Sequence, residues 1–308
     1  MNFSINNIPS QKGKIAIITG ANAGLGYENA LRFLQKDIKV IMACRNETKA
    51  IIARDKLLSE VPNGQLEFMK LDLCELSSVR KFAQNYREKY EKLDYLINNA
   101  GIMVPPYHKT VDGFESQMAA NYFGHFLLTS LLLDIMPDTA ESRIVLLSSV
   151  AHRHGPKKIF FEDLNWENNY SSSKAYQQSK LACLMFANEL DYRLRRAGKK
   201  ILSVAAHPGA TAGTELGKHL PKLLYCVIEY MLLPVISNDV SNGVLPQIMA
   251  ALSPQARGGD YYGPQKLDEM KGEPGIARKL PYSENKQNLE QLWDISIKLT
   301  GADFGELV

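Results

Sequence analysis

Cysteine is scarce in this chain of 308 residues: its four cysteines are far apart and form no Cys-x-x-Cys pair. Neither a disulfide framework nor a zinc site is therefore indicated, and we expect reduced thiols in the cytoplasm. His152 and His154 alternate in a polar stretch, but a metal site needs more ligands than these two residues. We predict no bound metal.

A strong excess of charge is also missing. The chain carries 36 Lys and Arg against 33 Asp and Glu, a formal net charge of +3. This balance gives no electrostatic reason to expect a nucleic-acid partner. With 45% apolar and 22% charged residues, the composition is that of a globular protein whose core can be large.

The sequence has no apolar run that would span a bilayer comfortably. Residues 1–11 lack a basic segment followed by an apolar one, so we predict neither a signal peptide nor an anchor. The longest apolar run, residues 220–236, is interrupted by Lys222 and Glu229. It could rest on a membrane surface, but its few cations predict at most weak attachment.

Short apolar runs alternate with helical segments along the chain. Strands are predicted at residues 14–19, 39–43, 66–71, 93–97, 143–147, 201–206 and 259–263. Helices are predicted at residues 27–36, 46–60, 76–90, 113–136, 176–197 and 215–250. This alternation with short connections predicts an α/β, doubly wound Rossmann fold, with a mainly parallel sheet of about seven strands and helices on both faces.

Two regions fall outside the alternation. Residues 151–173 are polar and irregular, and we expect a surface excursion there. No linker separates a second domain, so residues 1–308 are predicted to form one Rossmann-type domain with a C-terminal extension at about residues 264–308.

A glycine-rich turn, Gly20-Ala21-Asn22-Ala23-Gly24-Leu25-Gly26, joins the first strand to the first helix. Glycines in such a turn let the backbone approach a pyrophosphate, and the helix N-terminus supplies unpaired N–H groups. A glycine-rich turn without a ligand is the alternative, but the flanking strand and helix favour a dinucleotide site.

The second predicted strand ends without an acidic residue. In dinucleotide folds that prefer NAD, an acidic side chain at this place holds the ribose 2′-hydroxyl. Arg45 is found here instead, and a guanidinium suits a 2′-phosphate through its charge and forked donors. NADP is therefore favoured over NAD; a solvated loop arginine is the alternative.

Tyr176 and Lys180 form a Tyr-x-x-x-Lys motif in a helical segment. At this spacing the phenol and the ammonium stand on one helix face, one turn apart. An ammonium beside a phenol favours the phenolate, which makes Tyr176 a candidate general acid or base. On its own the pair could equally be part of a solvated helix face.

Further motifs follow three of the predicted strands or sit inside a helix. Small residues after a strand leave room for a flat ligand, and an amide among apolar helix residues needs partners, structural or functional. These motifs are Asn98-Asn99-Ala100-Gly101, Asn121, Ser149 and Pro208-Gly209.

Together, and in this order, the motifs resemble the short-chain dehydrogenase/reductase family from about residue 14 to residue 263. Residues 43–46, 121–129 and 176–181 are most similar to its retinol-dehydrogenase-like group. That group also resembles light-dependent protochlorophyllide reductases and the oxidoreductase domain found with WW modules. The resemblance implies hydride transfer between an alcohol and a carbonyl, with NADP as cofactor.

The resemblance also implies catalytic roles. Tyr176 would exchange the proton of the substrate hydroxyl, with Lys180 and the nicotinamide lowering its pKa. Ser149 would donate a hydrogen bond to the substrate oxygen. Lys180 would hold the nicotinamide ribose, and Asn121 would place a water that links Lys180 to solvent.

Cofactor contacts are implied in the same way. Arg45 would meet the 2′-phosphate, Asp72 the adenine, and Asn98 the edge of the cofactor cleft. The full implied set is Gly20, Asn22, Gly24, Leu25, Gly26, Arg45, Asp72, Leu73, Asn98, Ala100, Gly101, Tyr176, Lys180, Pro208, Gly209 and Thr211.

Two departures from the family pattern stand out. The stretch between Ser149 and Tyr176 is longer than in many members, although the retinol-dehydrogenase-like group also carries an insertion there. Gly213 stands where the family often has a threonine, so either Thr211 or Thr214 would contact the nicotinamide amide.

A substrate lobe is expected at about residues 210–255. Its apolar residues could line a lipophilic entrance or simply belong to the core; they include Leu223, Leu224, Val227, Ile228, Met231 and Leu232. A lipophilic entrance would predict a retinoid, steroid, prenol or fatty aldehyde as substrate. Family habit suggests a homodimer or homotetramer.

Two other functions compete with the oxidoreductase. The chain could be an NADP-binding redox sensor or scaffold without turnover, but such members usually lose Tyr176 or Lys180, which are both present. A light-driven reduction of a tetrapyrrole double bond would use the same two residues and would require pigment binding, for which the sequence shows no signal.

Overall fold

An eight-stranded sheet runs through residues 3–212 and 237–307, the part of the chain that the computed structural model describes. The strands are β1 (Ile15–Thr19), β2 (Lys39–Cys44), β3 (Leu66–Lys70), β4 (Tyr95–Asn98), β5 (Arg143–Leu147), β6 (Leu202–Ala206), β7 (Tyr261–Lys266) and β8 (Lys271–Ile276). Their order is β3-β2-β1-β4-β5-β6-β7-β8. Strands β1 to β7 pair in parallel, and β8 is antiparallel to β7.

Helices cover both faces of this sheet. They are α1 (Gly24–Leu34), α2 (Glu47–Glu60), α3 (Leu76–Lys89), α4 (Ser116–Met118), α5 (Gly124–Leu132), α6 (Ser172–Arg196), α7 (Val240–Gly243), α8 (Leu245–Leu252) and α9 (Lys286–Thr300). Side chains of α3, α5, α6 and α9 form one buried cluster, and those of α1, α2 and α8 form another.

Successive side chains of a strand contribute alternately to the two buried clusters. In β1, Ile17 belongs to the first cluster, whereas Ala16 and Ile18 belong to the second. Successive side chains of a strand point to opposite faces, so a strand covered on both sides is apolar throughout. The predicted doubly wound fold is confirmed.

The sheet has one strand more than predicted. Strand β8 contains Gly272, Pro274 and Gly275, which hide the usual strand pattern. Proline is tolerated at an edge strand, where an N–H group can be spared from the ladder. The prediction of a last strand at residues 259–263 is also short, because β7 continues to Lys266.

The long helix predicted at residues 113–136 is interrupted. It begins at Ser116, where the Glu115 carboxylate accepts a hydrogen bond from the Met118 N–H at 2.9 Å. Between α4 and α5 lies a π-helical turn, Ala119–Phe123, and the end, Leu133–Ile135, is a 3-10 turn. Asn121 lies inside the π-helical turn.

Residues 151–173 are less exposed than predicted. They carry 3-10 turns at Val150–Arg153 and Phe161–Asp163, and the side chains of His152, Leu164 and Trp166 are buried. The expected surface excursion is confirmed for most of the segment, which a few buried side chains anchor to the rest of the protein.

The C-terminal extension packs on the helices that carry the candidate catalytic residues. On α9, Trp293 stacks against Phe126 of α5 and Phe304, with ring centroids 5.2 and 4.5 Å apart. Ser296 of α9 lies 2.7 Å from the Tyr122 hydroxyl. This aromatic packing fixes α5 and α6 from behind.

Residues 213–236 lie outside the described residues. They include most of the helix predicted at residues 215–250, the longest apolar run and Thr214. Helices α7 and α8 are the described part of that prediction. Within the described ranges, no helix is long and apolar enough to cross a membrane, and no cluster of His, Cys, Asp and Glu side chains could hold a metal ion.

Candidate active site

The glycine turn presents the N-terminus of α1 to a cleft at the carboxyl edge of the sheet. Ala23, the residue before α1, offers no capping side chain, so the first amides of the helix have no side-chain acceptor. A Cβ on Gly26 would lie 2.2 Å from the Gly20 carbonyl oxygen, so only glycine fits there. Free amides at a helix N-terminus suit a phosphate.

The cleft has a volume of about 350 Å³. The predicted cofactor residues that line it are Gly20, Asn22, Gly24, Leu25, Gly26, Arg45, Asp72, Leu73, Ala100, Gly101 and Lys180. Asn46, Lys49, Cys74 and Asn99, which are outside the predicted cofactor set, line it too. An elongated ligand with anionic groups fits this combination of backbone amides, cations and small residues.

Arg45 stands directly after β2 at the mouth of the cleft. Its side chain is 66% exposed, and its Nη1 lies 3.9 Å from the Asp72 carboxylate. Asp72 is held in turn by the Cys74 N–H, which donates to it at 2.9 Å. Lys49, in the first turn of α2, lines the same end of the cleft. The mouth therefore carries two cationic side chains.

Asn98 does not line the cleft, contrary to the role that the family resemblance implied. Its side chain is buried and donates to the Thr129 hydroxyl of α5 at 3.1 Å. The next residue, Asn99, points the other way and donates to the Thr19 carbonyl at 2.8 Å. Because side chains alternate along a strand, the neighbouring asparagine takes the place at the cleft.

Tyr176, Lys180 and Ser149 come together at the inner end of the cleft, the end marked by Lys180; Tyr176 and Ser149 themselves are not part of its lining. Helix α6 begins at Ser172, before Tyr176, and places Lys180 one turn later. The Lys180 ammonium lies 5.9 Å from the Tyr176 ring centroid and donates to the Leu147 carbonyl at 3.0 Å. Ser149, just after β5, lies close enough to the Tyr176 phenol for its hydroxyl to lower the pKa of that phenol.

Burial controls the protonation of these groups. It raises the pKa of Tyr176 to about 12, although the hydrogen bond from Ser149 acts in the opposite direction. Burial also lowers the pKa of Lys180. With the protein's own groups alone, desolvation outweighs the effect of Ser149, so the lowered Tyr176 pKa expected from the sequence is not found and the phenol is protonated at neutral pH.

Asn121 is fully engaged in hydrogen bonds. Its side chain pairs with the backbone of Ile102, accepting at 2.8 Å and donating at 3.1 Å, and donates to the Ser179 hydroxyl at 2.9 Å. The backbone carbonyl of Asn121 accepts hydrogen bonds from His125 Nδ1 at 2.9 Å and from the Cys183 thiol at 3.1 Å. A water bound to this carbonyl would have to replace one of these two donors.

His125 is a buried polar residue that the sequence analysis missed. Because its Nδ1 donates to the Asn121 carbonyl, Nε2 accepts from the Thr19 hydroxyl at 2.9 Å. Burial lowers the pKa of His125 to about 4, so the ring is neutral. Thr19 ends β1, and this chain of hydrogen bonds ties the glycine turn to the catalytic helices. A signal was present: His125 lies one helical turn after Asn121.

Pro208, Gly209 and Thr211 follow β6 and lie beyond the lining of the cleft. Ala210, between them, donates its N–H to the Met270 carbonyl at 2.9 Å. Thr211 forms a short parallel bridge with Asn238. Thr214 is outside the described residues, so the choice between the two threonines stays a prediction.

Comparison with known proteins assigns the family. The profile described as short chain dehydrogenase matches residues 14–223, more than half of the chain. This chain belongs to the short chain dehydrogenase family. Retinol dehydrogenase 13 of Mus musculus is 38% identical over 297 residues, covering 94% of this chain and 84% of the relative. Retinol dehydrogenase 12 of Mus musculus is 36% identical over 291 residues, covering 94% and 87%.

A solved structure shares the fold of this dehydrogenase. The crystal structure of an uncharacterized protein from Mycobacterium Paratuberculosis matches 99% of this chain and 100% of its own, with 36% identity and a TM-score of 0.81. The predicted family and its retinol-dehydrogenase-like group are confirmed. The dehydrogenase is an oxidoreductase that acts on CH–OH and C=O groups with a nicotinamide cofactor.

Proposed function

We propose that this dehydrogenase interconverts a lipophilic alcohol and its carbonyl compound with NADP as the preferred cofactor. One observation carries the proposal: the Lys180 ammonium lines the glycine-lined cleft and lies 5.9 Å from the Tyr176 ring centroid, and Ser149 lies beside the Tyr176 phenol. The cofactor would supply or accept the hydride. The protein would align the reactants and move the proton.

Each catalytic group has a role that its surroundings support. A phenol protonated at neutral pH can donate its proton to a carbonyl oxygen as that oxygen gains charge, and can recover it in the reverse direction. The Ser149 hydroxyl donates to the same developing oxyanion. The Lys180 ammonium, held by the Leu147 carbonyl at 3.0 Å, lines the cleft one helical turn after Tyr176. Asn121 fixes α6 through Ser179.

The preference for NADP rests on the mouth of the cleft. Arg45 and Lys49 line it, and Arg45 is exposed enough to meet a ligand phosphate. β2 carries no acidic residue that would bind a ribose 2′-hydroxyl and repel a 2′-phosphate. Arg45 can release Asp72 at little cost, because an exposed pair 3.9 Å apart is weak.

A titration with both cofactors tests this preference. We expect wild type to bind NADPH at least about tenfold more tightly than NADH, and Arg45→Ala to lose most of that difference, since a charge-assisted hydrogen bond contributes about 1.5–3 kcal/mol. Arg54→Ala is the matched control, because Arg54 is an arginine of α2 that pairs with Asp55 and does not line the cleft. Equal binding of the two cofactors by wild type would contradict the preference.

The lipophilic substrate is supported by the relatives, which are named as retinol dehydrogenases. The apolar residues predicted to line a substrate entrance, from Leu223 to Leu232, are outside the described residues. With NADPH, we expect all-trans-retinal or a fatty aldehyde to be reduced with a kcat/KM at least about tenfold above that of a small hydrophilic ketone. Activity confined to hydrophilic ketones would contradict it. The homo-oligomer, the cytoplasmic location and the weak membrane contact stay predictions.

A further inference from the structure

The turn between β7 and β8 has an unusual backbone. Leu267, Asp268 and Glu269 have φ angles of 50°, 54° and 66°. Each is in the left-handed region although none is glycine, a conformation that is unfavourable for a residue with a Cβ. Such conformations persist where surrounding contacts hold them, and they cluster at functional sites. The contacts of Glu269 show what holds this turn.

Glu269 is buried at the centre of three basic groups. Its carboxylate lies 3.2 Å from Arg153 Nη1 and 3.3 Å from His207 Nε2. It also accepts from the backbone N–H of Arg278 at 2.9 Å and from Arg278 Nε at 3.0 Å. Burial alone would raise the pKa of Glu269, but His207, Arg278 and Arg153 lower it to about 2. The carboxylate is therefore ionised at any working pH.

Arg153 links this carboxylate to the segment that follows Ser149. It is the last residue of the 3-10 turn Val150–Arg153, which Ser149 precedes. Within that turn, the backbone N–H and Nδ1 of His152 both donate to the Ser149 carbonyl, at 3.1 and 2.6 Å. Arg153 Nη2 also donates to the Asp268 carbonyl at 3.2 Å. Through Arg153, the strained turn is thereby connected to the backbone segment that follows Ser149.

His207 links the same carboxylate to the turn at Pro208 and Gly209. The Gly209 N–H donates to His207 Nδ1 at 3.2 Å, so the proton of the neutral ring is on Nε2, which faces Glu269. Gly209 touches the strained turn directly: a Cβ at this residue would lie 2.4 Å from the Met270 carbonyl oxygen. The two segments after β5 and β6 thus meet at one carboxylate.

We infer that Glu269 is a positioning residue for the dehydrogenase reaction. It fixes the Ser149 segment through Arg153 and the Pro208–Gly209 turn through His207, so that the substrate side and the cofactor side of the site keep one relative geometry. The left-handed conformation of the turn places the Glu269 carboxylate between Arg153 and His207. The inference rests on the role proposed for Ser149 and on the cofactor contact that the family resemblance implies for Pro208 and Gly209. It concerns a residue far outside every motif of the sequence.

The test compares Glu269→Gln with Asp268→Asn. Asp268 is the matched control because its exposed carboxylate, in the same left-handed turn, also pairs with Arg278 and lies 3.8 Å from Arg153, so Asp268→Asn removes a charge beside the same arginines and leaves the buried carboxylate in place. We expect Glu269→Gln to lower kcat and NADPH affinity by about tenfold each, since small displacements of reacting groups are costly. Asp268→Asn should stay within about twofold of wild type. Hydrogen–deuterium exchange should be faster in Glu269→Gln at both residues 150–155 and residues 207–212.

Arg153→Gln separates the link through Arg153 to the Ser149 segment from the link through His207 to the Pro208–Gly209 turn. It should speed exchange at residues 150–155 and lower kcat, while exchange at residues 207–212 and NADPH affinity stay close to wild type. This variant also carries the test if Glu269→Gln does not fold. The inference is overturned if Glu269→Gln behaves like Asp268→Asn, or if Arg153→Gln leaves residues 150–155 as protected as in wild type.

The two proposals fail in different ways. A wild-type protein that binds no NADPH and reduces no carbonyl compound overturns the proposed function, whereas the exchange of residues 150–155 and 207–212 still reports on Glu269. Normal wild-type turnover with no change in exchange or kinetics in Glu269→Gln overturns the positioning role alone.

Discussion

The two ends of the site are built by opposite means. At the mouth, the groups that face the cleft are backbone amides of the glycine turn and the side chain of Arg45, which is 66% exposed. At the inner end, Asn121 and Lys180 are 2% and 3% exposed, and Tyr176 is buried beside them. A charged ligand group can be met by amides and an exposed cation, whereas proton transfer uses groups whose pKa values burial has shifted.

The two ends also differ in how they are assembled. The glycine turn is complete within a few consecutive residues, and its chemistry follows from local backbone geometry. The inner end depends on contacts between distant segments, such as the hydrogen bond from Asn121 to Ser179, 58 residues apart in sequence. Changes at the mouth should therefore affect cofactor binding, and changes at the inner end should affect turnover or the stability of the buried network.

Among the substitutions of Ser149, His125 and Gly26, we expect the largest effect at the inner end, for Ser149→Ala. Removal of one donor to a developing oxyanion costs about 10²- to 10³-fold in kcat. NADPH affinity should stay within about twofold, because Ser149 does not line the cofactor cleft. Steady-state kinetics with a fluorescence titration of NADPH measures both. Ser173→Ala, an exposed serine of α6, is the control; a loss of affinity as large as the loss of kcat would erase the contrast between the two ends.

A smaller effect is expected from the buried histidine that joins the two ends. His125 has a folded-state pKa of about 4, below the unfolded value near 6.5, because burial disfavours its charged form. Between these values only the unfolded chain binds the proton, so stability is full above pH 6.5 and falls as the pH drops towards 4. The loss from this residue is on the order of 3 kcal/mol at most.

His125→Asn should remove that part of the pH dependence. Urea unfolding at pH 7, 6 and 5 measures it, and the wild-type free energy of unfolding should fall more steeply towards acid than that of the variant. His152, whose pKa burial also lowers to about 4, remains in both proteins and contributes equally. Parallel pH profiles would contradict a neutral, buried His125.

The smallest effect is expected at the mouth, for Gly26→Ala. Its Cβ would meet the Gly20 carbonyl oxygen, and crowding of this kind costs about 1–3 kcal/mol, so NADPH affinity should drop roughly tenfold. At saturating NADPH, kcat should be nearly unchanged. Gly64→Ala, at a glycine that like Gly26 has no positive φ and that lies away from the cleft, controls for the general cost of replacing a glycine. Unchanged affinity in Gly26→Ala would place the dinucleotide elsewhere.

The same contrast explains what could be predicted from the sequence. The parallel strands, the helices on both faces and the glycine turn follow from local periodicity and turn chemistry, and the described residues confirm that fold. Tyr176 and Lys180 are brought together because a single helix carries both. In each case, the information lies in neighbouring residues.

What the sequence did not reveal depends on tertiary contacts. The π-helical turn at Asn121 coincides with a backbone carbonyl that accepts a hydrogen bond from the His125 side chain. Strand β8 is hidden by its glycines and its proline. The cluster around Glu269 joins segments that are far apart in sequence, and the high pKa of Tyr176 reflects burial that no motif displays.

The most direct test of the account is Tyr176→Phe, measured for both turnover and cofactor affinity. We predict that kcat with NADPH and a lipophilic aldehyde falls about 10²- to 10⁴-fold while the NADPH dissociation constant stays within about twofold. Tyr192→Phe, an exposed tyrosine on the same helix, should behave like wild type. If Tyr176→Phe keeps its turnover, Tyr176 is not the proton donor, and the assignment of the inner end of the cleft is wrong.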